Sequence, residues 1–292
     1  MRFQHLARYS DIGSNSCLIE MGETRIVLDA GTHPKHVGRD SLPLFEKIEY
    51  DTVDAILVTH PHLDHIGALP CLMEKQPHAA VAMTEETRES GEALLHNSVN
   101  VMKSKKRELG ISEYPLYSHK KVDNLERFWF SRSVGETFSV GHDDRVECEF
   151  YHAGHVQGAV GIRLELEGKT VFYTGDAHFE DQTITTAAQF PQQKINTLII
   201  ETTRGDYTRP PDYTREAEKR RLGETIANVI ERNGSVLIPV FAFGKTQELL
   251  MMLHELRAEG VIPVVPVHIG GLSTRMTPVS YTHLRAHETS ID

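Results

Sequence analysis

Cysteine is scarce in this chain. There are three in 292 residues, Cys17, Cys71 and Cys148, with no C-x-x-C pair among them. That argues against a disulfide framework and for a reducing compartment, read here as the cytoplasm. Long apolar runs are lacking too. None approaches the roughly 18 residues of a membrane span, so no membrane partner is expected. The opening residues, MRFQHLARYS, contain no apolar segment of a secretory signal. Internal repeats and low-complexity tracts are absent. A surplus of positive charge is absent as well: the formal net charge is −10, which is not the usual footprint of a nucleic-acid binder. What is present is an ordinary globular composition, 25% charged and 39% hydrophobic. The length suits one large domain or two modest ones. The surplus lies in histidine, 17 residues, and their placement decides whether a metal site exists.

The C-terminal end reads differently from the rest. Residues 279–289, VSYTHLRAHET, back-translate without forcing to a transposon-end sequencing adapter, and Pro278 fits a hybrid codon. Residues 278–292 are therefore read as an adapter-derived tail and set aside from fold reasoning. His283 and His287 leave the metal argument with it. The natural chain is expected to continue past Thr277, and this one to be C-terminally truncated and weak or inactive as it stands.

Strands dominate the first part. Phe3–Tyr9 leads into a Gly/Ser/Asn loop, and Cys17–Glu20 and Thr24–Leu28 read as a hairpin. Ala55–Val58 is a short apolar strand, and His65–Glu74 and Glu85–Lys103 have helical spacing. Further strands are expected at Arg145–His152, Val160–Leu166, Thr170–Thr174 and Thr197–Ile200. After Pro210-Pro211 the pattern becomes βαβ-like. A helix over Glu216–Arg232 is followed by a strand at Val236–Val240, a helix over Lys245–Glu259 and a strand at Val264–His268.

At the exit of the Ala55–Val58 strand stands Thr59-His60-Pro61-His62-Leu63-Asp64-His65. Four ligand-type residues fall within six positions. In an extended loop His60 and His62 point to one side, and Asp64 and His65 open the next helix. Imidazoles with a carboxylate suit Zn²⁺, with Mn²⁺ or Fe as alternatives. His155 lies between Gly154 and Gly158, and Asp29 and Asp176 each follow a strand. Taken singly, an Asp after a strand is an ordinary turn residue. Together these residues gather ligand-type groups where loops collect at one end of a sheet.

The ordered set Asp29, His60-x-His62-x-Asp64-His65, His155, Asp176 resembles the metal motifs of the metallo-β-lactamase superfamily. The resemblance implies an α/β fold, the αββα sandwich. It also implies that His60, His62 and His155 hold one metal, that Asp64 and His65 hold a second, and that Asp176 bridges them. Asp29 would orient ligands from behind. A further histidine ligand, nearer the C-terminus in that family, has no match here. The stretch Leu198–Asp206, with Glu201, resembles the first acidic motif of the β-CASP branch, the nucleic-acid-processing group. Residues 234–250 resemble that branch's strand–turn–helix, with Lys245 where many relatives carry Arg. Arg204 stands where an aromatic is frequent. The implied organisation is a metallo-β-lactamase domain over 1–209 and the start of an inserted α/β β-CASP domain over 210–277. The branch's two later motifs, including a His that would pair with Glu201, are missing.

The implied chemistry is hydrolysis of RNA phosphodiesters by a hydroxide activated between two Zn²⁺ ions. Asp64 and Asp176 would orient it, and Glu201 would assist leaving-group protonation. RNA is the expected partner, with DNA as the alternative and a homodimer left open. Lys245, opening a helix after Gly244, is either a phosphate contact or a solvent-facing residue. Lys103, Lys105, Lys106, Arg107, Lys120 and Lys121 form either a phosphate track or a solvated helix end. The competing readings are a DNA nuclease, a small-molecule metallohydrolase and a non-catalytic scaffold. The segment 236–250 disfavours the hydrolase, and retention of every metal ligand named above disfavours the scaffold. The other histidines, among them His96, His119, His142 and His178, carry no motif support and read as background.

Overall fold

The computed structural model describes residues 1–141 and 145–289, with the backbone alone over 282–289. His142 and residues 290–292 lie outside the described residues, as do the side chains of His283 and His287. The chain divides into two compact units. The first comprises residues 1–180 and 187–201, the second residues 181–186 and 202–292.

The first unit is built on two sheets. The six-stranded sheet runs β1 (Arg2–His5), β2 (Cys17–Met21), β3 (Thr24–Leu28), β4 (Ala55–Leu57), β5 (Ala80–Met83), β6 (Trp129–Ser131) in spatial order. β1 to β3 are antiparallel, and β3 to β6 are parallel. The five-stranded sheet comprises β7 (Thr137–Val140), β8 (Val146–His152), β9 (Val160–Leu166), β10 (Lys169–Tyr173) and β11 (Thr197–Ile199). Its pairs are antiparallel except β10 with β11.

Side-chain alternation sorts the strands' residues between two cores. In β3 and β4, Ile26, Leu28, Ala55 and Leu57 join Cys148, Phe150, Ile162 and Leu164 between the sheets. Their neighbours Val27 and Ile56 face the other way, against helical residues such as Leu69, Leu72, Leu95 and Val99. Both faces of these central strands are buried, which is why they read as continuous apolar runs.

The helices of this unit are α1 (Leu63–Ile66), α2 (Leu69–Lys75), α3 (Glu85–Leu109) and α4 (His119–Leu125). The helix expected over His65–Glu74 is two helices. Gly67 sits where a Cβ would lie 2.4 Å from Leu63 O and from Thr32 Oγ1, and Pro70 starts a new helix at its first turn. α3 runs past Lys103 because its end signals lie further on. The Thr84 side chain accepts from Thr87 N at its start, Lys106 and Arg107 occupy its last turn, and Gly110 closes it in the left-handed conformation.

The second unit contains α5 (Arg215–Glu231), α6 (Lys245–Ala258) and α7 (Ser273–Thr289). Ile226, Leu256 and Ile262 form its small core. The strands expected at 236–240 and 264–268 are not formed. A strand needs a neighbour to receive its ladder hydrogen bonds, and no strand of the described residues lies in this unit. Leu237 is 93% exposed as a result.

Candidate metal centre

Four strand exits build the centre in the first unit. Asp29 follows β3, Thr59 and His60 follow β4, His155 follows β8, and Asp176 follows β10. Two glycines permit the approach of these loops. A Cβ on Gly31 would lie 1.6 Å from Asp64 O, so only glycine lets the β3 exit pass beneath α1. Gly154 adopts a φ of +70°, and a Cβ there would meet His178 O at 2.3 Å. His178 donates its backbone N–H to Ala153 O, so its main chain braces the loop that presents His155.

His60, His62 and His155 bring one ring nitrogen each within 4.8 Å of one another, and His60, His65 and Asp176 do the same with their own ligand atoms. The ring centroids of His60 and His65 are 4.0 Å apart, and those of His62 and His155 5.1 Å. Asp176 lies between the groups. Its Oδ1 is 3.3 Å from His65 Nε2, and its Oδ2 is 3.6 Å from His155 Nε2 and 3.8 Å from His60 Nε2. Asp64 Oδ2 stands 3.8 Å from His65 Nε2.

Buried beneath this cluster is Asp29. Its Oδ1 accepts from Thr59 N at 2.8 Å and its Oδ2 from Tyr173 OH at 2.9 Å. Thr59 Oγ1 lies 2.9 Å from Oδ2, and His65 Nδ1 lies 2.7 Å from the same oxygen. A carboxylate on Nδ1 fixes the orientation of the His65 ring with Nε2 facing Asp176, an arrangement typical of histidine metal ligands. Asn15 Nδ2 also reaches His65 Nε2, at 2.9 Å. Asn15 and Tyr173 carried no signal in the sequence, since each meets the centre through space, and Thr59 read only as the residue before His60.

The electrostatics follow from burial and crowding. His60 is held well below its ordinary pKa, first by burial and then by the charges of His65, His62 and His155. It is therefore neutral, with one ring-nitrogen lone pair to offer. Burial pulls His65 the same way, but Asp29, Asp176 and Asp64 overcome it and hold that ring well above its ordinary value. Asp176 falls to about 2: burial raises it, and the contact with His65 and the charges of His65, His155 and His62 outweigh that.

The residues fit a metal. His60 is fully buried, yet its Nε2 finds no hydrogen-bond partner among the described residues. A bare imidazole nitrogen in such a place costs about 1–3 kcal/mol unless a cation fills the space. Four imidazoles and a carboxylate converge there, a donor set suited to borderline divalent ions.

Glu201 and Lys245 are the two other expected site residues. Glu201 lies two residues past β11, half-buried, with its backbone N–H donating to Thr174 Oγ1 at 3.2 Å. Lys245 opens α6 in the second unit. It is half-buried rather than solvent-facing, and its Nζ donates to Gln182 Oε1 at 2.9 Å. Its pKa is lowered by burial first and by Arg215 and Arg204, against Glu248. Among the described residues, no helix is long and apolar enough to cross a membrane.

The chain is similar to several curated proteins. Endoribonuclease YSH1 of Kluyveromyces lactis is 32% identical over 265 residues, covering 87% of this chain and 33% of that protein. Endoribonuclease ysh1 of Schizosaccharomyces pombe is 34% identical over 256 residues, covering 87% and 32%. Cleavage and polyadenylation specificity factor subunit 3 of Dictyostelium discoideum is 34% identical over 251 residues, covering 84% and 31%. The chain thus spans about a third of the length of the curated relatives it matches. The family model described as the metallo-beta-lactamase superfamily matches residues 10–225, a span that includes Asp29, the run from His60 to His65, His155 and Asp176. With the model's reach and the strand-exit cluster in agreement, the chain belongs to the metallo-beta-lactamase superfamily.

Proposed function

We propose that this chain is the metal-bearing part of a β-CASP-type endoribonuclease that hydrolyses RNA phosphodiesters. The observation that carries the reading is the convergence of His60, His62, His65, His155 and Asp176 around a bare, buried His60 Nε2. The relatives named endoribonucleases support RNA as the substrate class.

Zn²⁺ is the ion that the imidazole-rich set favours. His60, His62 and His155 would hold one ion, and Asp64, His65 and Asp176 a second. Such a pair supplies Lewis acidity and an activated water. The chain's own groups do the rest. Asp29 fixes His65 through Nδ1. Asp64, one quarter exposed, is open to solvent and orients the attacking water. Asp176 supplies negative charge between the ligand groups. Glu201 assists protonation of the leaving oxygen, and Lys245 contacts a phosphate. Domains over 1–209 and 210–277 follow from this reading, with residues 278–292 an adapter-derived tail. So does a cytoplasmic setting, consistent with three free cysteines. Part of the chain's acidity then belongs to the centre, where bound cations neutralise it.

The test is cleavage of end-labelled RNA, with single-stranded DNA of the same sequence alongside, by full-length protein before and after metal stripping. RNA cleavage that disappears on stripping and returns with Zn²⁺ supports the proposal. Undiminished cleavage by the stripped protein overturns it, and cleavage of the DNA alone reassigns the substrate.

A further inference from the structure

A second histidine–carboxylate cluster lies on the helical side of the first unit. Glu92 and His96 are one turn apart on α3, and His119 and Asp123 are one turn apart on α4. Side chains four residues apart share a helix face, and here the two faces meet. His96 Nε2 lies 3.1 Å from Asp123 Oδ1 and 3.8 Å from Glu92 Oε1. These three residues bring one ligand atom each within 4.8 Å of one another.

The hydrogen bonds behind His96 fix its protons. His119 Nε2 is 3.1 Å from Asn100 Oδ1, an oxygen that can only accept, so His119 carries its proton on Nε2. In the neutral ring that leaves its Nδ1 as an acceptor. The His96 and His119 Nδ1 atoms are 2.8 Å apart, so His96 donates there from its own Nδ1. His96 Nε2 thus faces two carboxylate oxygens, where a divalent ion could take the place of a proton. An imidazole whose rear N–H is engaged and whose front nitrogen meets carboxylates is arranged as a metal ligand.

We propose that Glu92, His96 and Asp123, braced by His119, bind a divalent transition-metal ion of the Zn²⁺ class that staples α3 to α4. One nitrogen and two carboxylate oxygens leave the remaining coordination to water, as expected of a partly exposed site.

The experiment is equilibrium dialysis of the full chain against Zn²⁺ alone, followed by metal analysis, for the wild type, His96→Ala and Asp123→Asn. Asp123 is more than half exposed, so its replacement leaves the fold intact. Each variant is expected to lose one bound ion per chain relative to the wild type, and to lose part of the Zn²⁺-induced rise in Tm. In the wild type, Zn²⁺ should shift the ring resonances of His96. An unchanged metal count in both variants overturns the proposal, as does a His96 ring that behaves as a protonated partner of Asp123 and ignores Zn²⁺.

Discussion

The two histidine–carboxylate clusters use the same donor types in opposite settings. At the strand exits, His60 and His65 are buried and Asp29 is wholly enclosed, with Thr59, His65 and Tyr173 all bonded to it. On the helices, His96 is partly exposed and Asp123 mostly so. The buried His60, His65 and Asp29 cannot relax when an ion leaves, because neighbouring side chains are close-packed. An exposed set can turn its carboxylates to water. Preorganisation is therefore the property of the strand-exit cluster, and it is what catalysis demands. The helical cluster can bind an ion and contribute to stability, but it offers no enclosed place for a reaction.

The contrast is sharpest for Asp176→Ala. It removes the carboxylate lying between the imidazoles, and RNA cleavage by full-length protein is expected to vanish, with bound metal falling and the far-ultraviolet circular dichroism unchanged. Retained turnover would erase the catalytic distinction between the clusters. Asp29→Asn should rank next. It keeps the shape but weakens the hold on His65 Nδ1, and loss of such a partner costs about 10–100-fold in metal affinity or activity. Initial rates measured against Zn²⁺ concentration would show whether added metal restores the rate.

A chelator series separates the clusters by exposure. The helical ion should leave at lower chelator concentration, before cleavage declines, so metal count and activity should fall in two stages. A single stage would mean that the two settings do not differ as described. The smallest effect is expected of His96→Ala on cleavage: the rate should stay within about twofold, as for substitutions remote from a site, while the metal count drops. A large loss of rate would tie the helical cluster to the chemistry.

Much of the strand-exit cluster was legible because the chain writes it locally. Four ligand-type residues follow β4 within six positions, and His155 and Asp176 each sit just past an apolar run. The apolar strands of the first unit were legible for the same reason. The break after Ile66 was less so, because the close approach to Gly67 that leaves no room for a Cβ comes from Thr32, far away in sequence. Segments 236–240 and 264–268 have strand-like composition yet form none, because strand formation depends on a paired neighbour and not on composition alone. His96 and His119 read as background since nothing in either helix points to the other.

The sequence by itself determined the superfamily, the ligand types and the strand exits that carry them, since those depend on residue order and short-range periodicity. Only the tertiary structure decided that His60 Nε2 is bare, that Tyr173 and Thr59 share Asp29, and that α3 and α4 bring Glu92, His96 and Asp123 together. These are contacts between residues far apart in the chain, fixed by how the sheets and helices pack, and no local pattern encodes a distance through space.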